Sequence, residues 1–157
     1  MTRRYARAPA NERAIGYVPR NYGRRTTLVA ALLPTEIAAP MLLEGAIDSA
    51  AFEAYIEQGL CPILRVGQIV IMDNLSSHHT RKVRTLIEAR DCTVLFLPTY
   101  SPDFNPIEHL FSKVKEWLRA VAARTQEDLD RAIVEALAQI IPQDIRGWFL
   151  HCGYDLS

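Results

Sequence analysis

Asp73 and Glu108 are the two residues of this chain best placed to do chemistry together. Asp73 closes the apolar run Gln68-Ile69-Val70-Ile71-Met72 and is followed by Asn74, while Glu108 sits just inside a helical pattern that opens at Asn105-Pro106. Thirty-four residues, 74–107, lie between them. Hard divalent cations take oxygen ligands, and magnesium is commonly held by one or two carboxylates plus substrate phosphate. Two such cations activate a water and steady the leaving oxygen of a phosphodiester. Without a cation, carboxylates brought together repel. The pair therefore points to metal-assisted phosphoryl transfer, provided the fold brings the two acids to one place.

Each acid also has an ordinary structural explanation. With Asn105 as N-cap and Pro106 at the first helical position, Glu108 falls third, where Glu completes a capping box. Asp73 reads equally as a strand-end turn residue. Glu108 borders the apolar stripe of its helix, next to Ile107, which lets it lean towards the sheet. The intervening loop Pro98-Thr99-Tyr100-Ser101-Pro102-Asp103-Phe104-Asn105-Pro106 holds three prolines that fix φ and stiffen the approach to the helix. Asp103 is a competing third acid, with an Asx-turn as its structural alternative. His78 and His79 suggest zinc, but no Cys or His elsewhere has the spacing to complete such a site. One of them can orient a metal-bound water or meet a phosphate, or both simply start a helix. Asn74, His78 and Asn105 are thus supporting candidates.

The elements that must position these residues follow from periodicity. Residues 1–25 lack it and read as a basic loop. Thr26–Leu33 and Pro40–Leu43 read as a strand hairpin, with a helix capped by Ser49 carrying Phe52, Tyr55 and Ile56 on one face. Gln68–Met72 and Thr93–Leu97 read as strands buried in the middle of a sheet, linked by a helix over Thr80–Arg90. A long helix follows from Pro106 to Ala120, with the stripe Ile107, Leu110, Phe111, Val114, Trp117, Leu118 and Val121. Thr125 and Asp128 resemble a capping box for a further helix to Ile140, and a last short helix carries Trp148, Phe149 and Leu150. Strands alternating with helices predict an α/β sheet, whose ligands bind beyond the carboxyl ends of the strands, where Asp73 lies.

At 157 residues the chain fits one core, and its 49% hydrophobic and 23% charged content is that of a globular protein. No apolar run approaches the roughly 18 residues of a membrane span, and three isolated cysteines indicate no disulfide framework, so the cytoplasm is the default location. The net charge of zero hides an asymmetry. Arg3, Arg4, Arg7, Arg13, Arg20, Arg24 and Arg25 crowd the first 25 residues against Glu12 alone. Such a segment attracts polyanions by counterion release, or acts only as a solvated arm. Lys113, Lys115 and Arg119 lie off the apolar stripe of the Glu108 helix, available to phosphate or to water.

Ile69-Val70-Ile71-Met72-Asp73-Asn74-Leu75-Ser76-Ser77-His78 and Leu97-Pro98-Thr99-Tyr100-Ser101-Pro102-Asp103-Phe104-Asn105-Pro106-Ile107-Glu108 resemble the second and third acidic motifs of DDE transposases. The nearest likeness is to bacterial insertion-sequence transposases of the mariner-like superfamily, in which this separation of acids is typical. The resemblance implies an RNase H-like fold, two magnesium or manganese ions, DNA cleavage and strand transfer at transposon ends and target, and a homo-oligomeric active assembly. Asp73 and Glu108 then stand as the second and third catalytic acids and metal ligands, and Arg3, Arg4, Arg7, Arg20, Arg24, Arg25, Lys113 and Lys115 as DNA contacts.

In that family the first acid lies on the first, central strand of the sheet. Here no Asp precedes Asp48, which follows the wrong element. The expectation is therefore a truncated transposase, inactive alone, lacking the strand between the hairpin and the Asp73 strand, which an upstream polypeptide would supply. It divides as a basic remnant at 1–25, a partial catalytic core at 26–121 and a helical tail at 122–157. The competing expectations are a non-catalytic DNA-binding or dimerisation piece, and an unrelated small metal-dependent nuclease.

Overall fold

A β-branched and aliphatic run, TTLVAAL, forms strand β1 (Thr26–Leu32) and turns back through Leu33–Glu36 into β2 (Ile37–Glu44). In this computed structural model residue 10 and residues 25–156 are described. Most of the basic segment, including Arg3, Arg4, Arg7, Arg20 and Arg24, therefore lies outside the described residues. The second strand is longer than Pro40–Leu43. Val29 pairs with Met41 and Ala31 with Ala38, so Ala30 alone faces Ala39 and Pro40. This is a β-bulge: Ala39 takes a φ of 46° and Pro40, which cannot donate to the ladder, falls within it. Proline in the strand was legible only as a strand start.

The bulge also sets which face each side chain uses. Leu28, Leu32, Ile37 and Leu42 pack on one core, while Val29, Ala31, Ala39 and Met41 pack on another. The first core is built on helix α3 (Pro106–Val121) and helix α4 (Gln126–Ala138), through Leu110, Val114, Leu118, Ala132, Ile133 and Ala136. Residues of the expected tail thus share a core with the hairpin. Within the expected stripe of α3, Trp117 and Val121 are exposed.

The second core gathers Phe52 and Tyr55 of helix α1 (Ser49–Tyr55), Ile56, Leu60 and Cys61 of its continuation, and Met72, Val83, Ile87, Cys92 and Val94. Asp48, not Ser49, caps α1: its Oδ1 accepts from the Ala51 N–H at 2.8 Å. Either residue suits an N-cap. Past Tyr55 the chain keeps helical dihedrals as a π-helical turn (Ile56–Leu60) and a 3₁₀ turn (Cys61–Ile63), ended at Leu64.

Strand β3 (Ile69–Met72) pairs in parallel with β4 (Thr93–Phe96), joined by helix α2 (Arg81–Glu88), whose N-cap is Thr80. The described strands form two separate two-stranded sheets, β1–β2 and β3–β4. Neither strand of the second pair is the fully buried central strand that its apolar sequence predicted. Ile69 is 63% exposed and Leu95 50% exposed, and among the described residues β3 pairs on one edge only. Helix α5 (Pro142–His151) closes the described fold. Among the described residues, no helix is long and apolar enough to cross a membrane.

Candidate metal and phosphoryl-transfer site

Asp73 leaves β3 at its carboxyl end, and the chain then folds through Asn74 and Leu75 into a 3₁₀ turn (Ser76–His78). This turn brings His78 back onto Asp73, with Nδ1 2.6 Å from Oδ1. The imidazole N–H does not point along that line, so both atoms are buried without an aligned hydrogen bond. His78 is held from behind by Phe52, the two rings stacked at 4.0 Å. The Asp73 side chain is nevertheless 39% exposed, and with Oδ1 covered this exposure belongs to the rest of the carboxyl group. One oxygen is thus fixed and the remainder is left for a ligand.

Two features correct the helix-start expectation for the histidines. His78 belongs to the 3₁₀ turn, and His79 stacks on Phe96 at 3.8 Å, with Arg84 5.7 Å from the same ring. Thr80 is the residue that starts α2, accepting from the Val83 N–H. Asn74 is a loop tie, its Nδ2 donating to Thr99 Oγ1 at 3.4 Å across to the proline-rich segment.

That segment delivers Glu108. Tyr100 takes a φ of 57°, Pro102–Phe104 forms a 3₁₀ turn, and the Tyr154 hydroxyl donates to the Phe104 carbonyl at 2.7 Å, fastening the turn to the chain beyond α5. Asn105 is buried at the N-cap position of α3 but makes no side-chain cap bond. The expected capping box is absent: the Glu108 N–H donates to the Asn105 carbonyl, and the Glu108 side chain is not engaged with the cap. Its structural alternative is therefore weakened.

Asp73, His78, Asn105 and Glu108 all line one cavity of about 500 Å³, bounded by β1, β3, α1 and the start of α3. Among the described residues, Asp73 and Glu108 are the only acids in its lining. Three buried polar atoms without a hydrogen-bond partner, Tyr55 Oη, Asp73 Oδ1 and His78 Nδ1, belong to residues of this lining. Desolvation pushes the Tyr55 phenol up to about 12. The donor set suits a hard cation: two carboxylates on one cavity, that of Asp73 still partly open beyond the oxygen His78 covers. Among the described residues, however, no three His, Cys, Asp or Glu side chains are gathered tightly enough to hold a metal ion unaided.

The expected phosphate-binding residues fare differently. Arg25 is exposed at the entry to β1, and its carbonyl accepts from the Gly45 N–H. Lys115 is exposed on α3. Lys113 is committed to Asp144, with Nζ 2.6 Å from Oδ2. The sequence reading missed Phe52 and Thr99 as partners of the site. Phe52 had registered only as a core position, which it also is.

The fold is RNase H-like, and known structures share it closely. The Mos1 strand transfer complex superposes with a TM-score of 0.76 at 22% identity, covering 97% of this chain and 47% of the other. The mariner Mos1 paired-end complex with Mg gives 0.74 at 21% identity, covering 97% and 49%. The chain belongs to the DDE superfamily of endonucleases, whose family profile, described as DDE superfamily endonuclease, matches residues 1–130. A curated relative, the transposable element Tcb2 transposase of Caenorhabditis briggsae, is 28% identical over 108 residues, which is 66% of this chain and 39% of the relative. The chain thus spans less than half the length of these relatives.

Proposed function

We propose that this chain carries the second and third acids of a mariner-like transposase site, Asp73 and Glu108, and serves DNA strand cleavage and strand transfer. The observation that carries the reading is that these two acids, from different elements, line one cavity at the carboxyl end of β3. The membership of the chain in the DDE endonuclease superfamily supports it, as do the Mos1 complexes whose names include transposon ends, Mn and Mg.

Asp73 and Glu108 would hold the cation. Bound magnesium or manganese supplies charge neutralisation at the phosphodiester and an activated water. His78, backed by Phe52, orients Asp73, and the Asn74–Thr99 bond keeps the two acidic loops together. The basic segment to Arg25, with Lys115, follows the DNA backbone, and paired transposon ends call for more than one copy of the chain. Two carboxylates are too few for a two-ion site, so the chain alone does not cleave DNA.

Titration with Mn²⁺, read by paramagnetic broadening of backbone amide signals, tests the site. Broadening centred on Asp73 and Glu108 is expected, and it should vanish in the Asp73→Asn, Glu108→Gln double variant. Broadening that survives both substitutions would remove the reading.

A further inference from the structure

Among the described residues four other than glycine take a positive φ: Ala39, Asp91, Tyr100 and Ala122. Three have a plain local reason. Ala39 makes the bulge of β2, Asp91 turns the chain out of the end of α2, and Ala122 ends α3 as a left-handed cap. Tyr100, at a φ of 57°, has none, and a bulky side chain in that region is an uncommon and costly choice that glycine or asparagine would avoid. Its ring meanwhile faces solvent: the residue is 98% exposed, more than any other large hydrophobic one described. Neither burial nor backbone preference explains a tyrosine at this position.

The surroundings of Tyr100 fix its place. The Leu97 N–H donates to the carbonyl of Met72, one residue before Asp73, at 2.8 Å, and Asn74, one residue after it, donates to Thr99 Oγ1. Tyr100 is thus the first residue beyond two ties that bracket Asp73. Ser101 Oγ donates to the Thr99 carbonyl at 3.5 Å, spanning Tyr100, and Pro98 and Pro102 have a fixed φ on either side. Further on, the Tyr154 hydroxyl holds the Phe104 carbonyl just before the helix that carries Glu108. The exposed ring therefore stands on a stiff loop that joins the elements of both acids.

We propose that Tyr100 is a stacking platform for a nucleobase of the DNA strand whose phosphodiester is held at Asp73 and Glu108. This deepens the function proposed above and rests on it. A phosphodiester drawn to acids that line a cavity separates the attached base from its neighbours in the stack, and a flat aromatic side chain replaces the lost contact. Every base has a π-face, so such a platform holds the strand without reading its sequence. The stiff loop sets the ring in position before the strand arrives, which spares the cost of ordering a mobile one.

The probe is a short duplex ending in an unpaired 2-aminopurine, bound to the full 157-residue chain with magnesium present. Stacking quenches the fluorescence of this base analogue. Quenching at saturation should persist in Tyr100→Phe and Tyr100→Trp and be lost in Tyr100→Gly and Tyr100→Asn. Affinity of the last two variants for the duplex, read by fluorescence anisotropy, should fall roughly 5- to 100-fold. Glycine and asparagine suit the backbone here, so urea unfolding of the free chain should not show a loss of stability common to both. Quenching as strong in Tyr100→Gly as in the unsubstituted chain would overturn the proposal. So would a loss of stability in both Tyr100→Gly and Tyr100→Asn, which would show that the ring packs on the chain itself. The Mn²⁺ titration without DNA does not involve Tyr100. Broadening at Asp73 and Glu108 together with unaltered quenching in Tyr100→Gly would therefore overturn the platform alone. Absence of that broadening would overturn the reading on which the platform rests, and the platform with it.

Discussion

Lys113 and Asp144 join the helix that carries Glu108 to the last helix of the fold, Nζ lying 2.6 Å from Oδ2. The same Asp144 oxygen accepts from the Ile141 N–H at 3.1 Å, at the start of α5. The Lys113 hydrogen bond and then the Ile141 bond hold the Asp144 carboxyl below its ordinary value. A carboxyl whose pKa is lowered by folding contributes stability above its unfolded pKa and loses it as pH falls through the folded one. Asp144→Asn should therefore lower stability at neutral pH, by no more than about 1 kcal/mol since the pair is partly solvated. The difference from the unsubstituted chain should shrink once the pH drops below the ordinary carboxylate range. Urea unfolding at neutral and acidic pH measures both.

Tyr55 presents the opposite case. Its hydroxyl is buried without a partner, and desolvation raises its pKa from 10.0 to about 12. A group with a raised folded pKa contributes stability that is intact below its unfolded pKa and is lost as pH rises through the folded value. Tyr55→Phe removes an unsatisfied polar atom while keeping the ring. It should stabilise the chain by about 1 kcal/mol at neutral pH. The decline in stability between pH 10.0 and about 12 should become shallower in the variant. Thermal unfolding across that range decides the point; a variant less stable at neutral pH would mean that the hydroxyl has a partner.

The order of elements was legible because apolar periodicity and proline punctuate this chain strongly. Gln68–Met72 and Pro106–Ala120 differ from the observed elements by a residue at an end. What stayed hidden were relations between elements. An apolar run on both faces reads as a central strand, yet among the described residues IVIM has a neighbour on one edge only, since pairing partners are not written in the strand itself. The bulge at Ala39 depends on β1 opposite it. The acids were legible as types and spacing, and their shared cavity was expected. The stack of His78 on Phe52 could not be expected, because Phe52 lies 26 residues earlier (78 − 52) in a helix whose spacing shows only that the ring faces inward.

Arg25 marks where the basic segment joins the fold: it is exposed, and its carbonyl is pinned by Gly45. If the arginines follow a DNA backbone, binding should weaken steeply with salt. The slope of log K against log salt is close to −0.9 for each duplex phosphate neutralised. Replacing Arg24 and Arg25 together by Gln should make that slope shallower by up to about 2 and weaken binding alike on unrelated sequences. Fluorescence anisotropy at several salt concentrations measures it. An unchanged slope would leave these arginines as a solvated arm.

His78 and His79 are adjacent, yet the fold gives them different work. His78 approaches the Asp73 carboxylate and is braced by Phe52, whereas His79 lies against Phe96 on the α2 side of β4. Partners that orient a metal ligand typically contribute 10–100-fold to affinity. His78→Ala should thus weaken Mn²⁺ binding by roughly 10-fold or more, while His79→Ala leaves it nearly unchanged. Phe52→Leu, which keeps an apolar side chain in the core but removes the flat surface beneath the imidazole, should fall between them. The Mn²⁺ titration of each variant, with circular dichroism to check folding, makes the comparison. If His79→Ala weakened binding as much as His78→Ala, the loss would reflect general loosening of the loop after β3, and the contact between His78 and Asp73 would have no special part in holding the carboxylate.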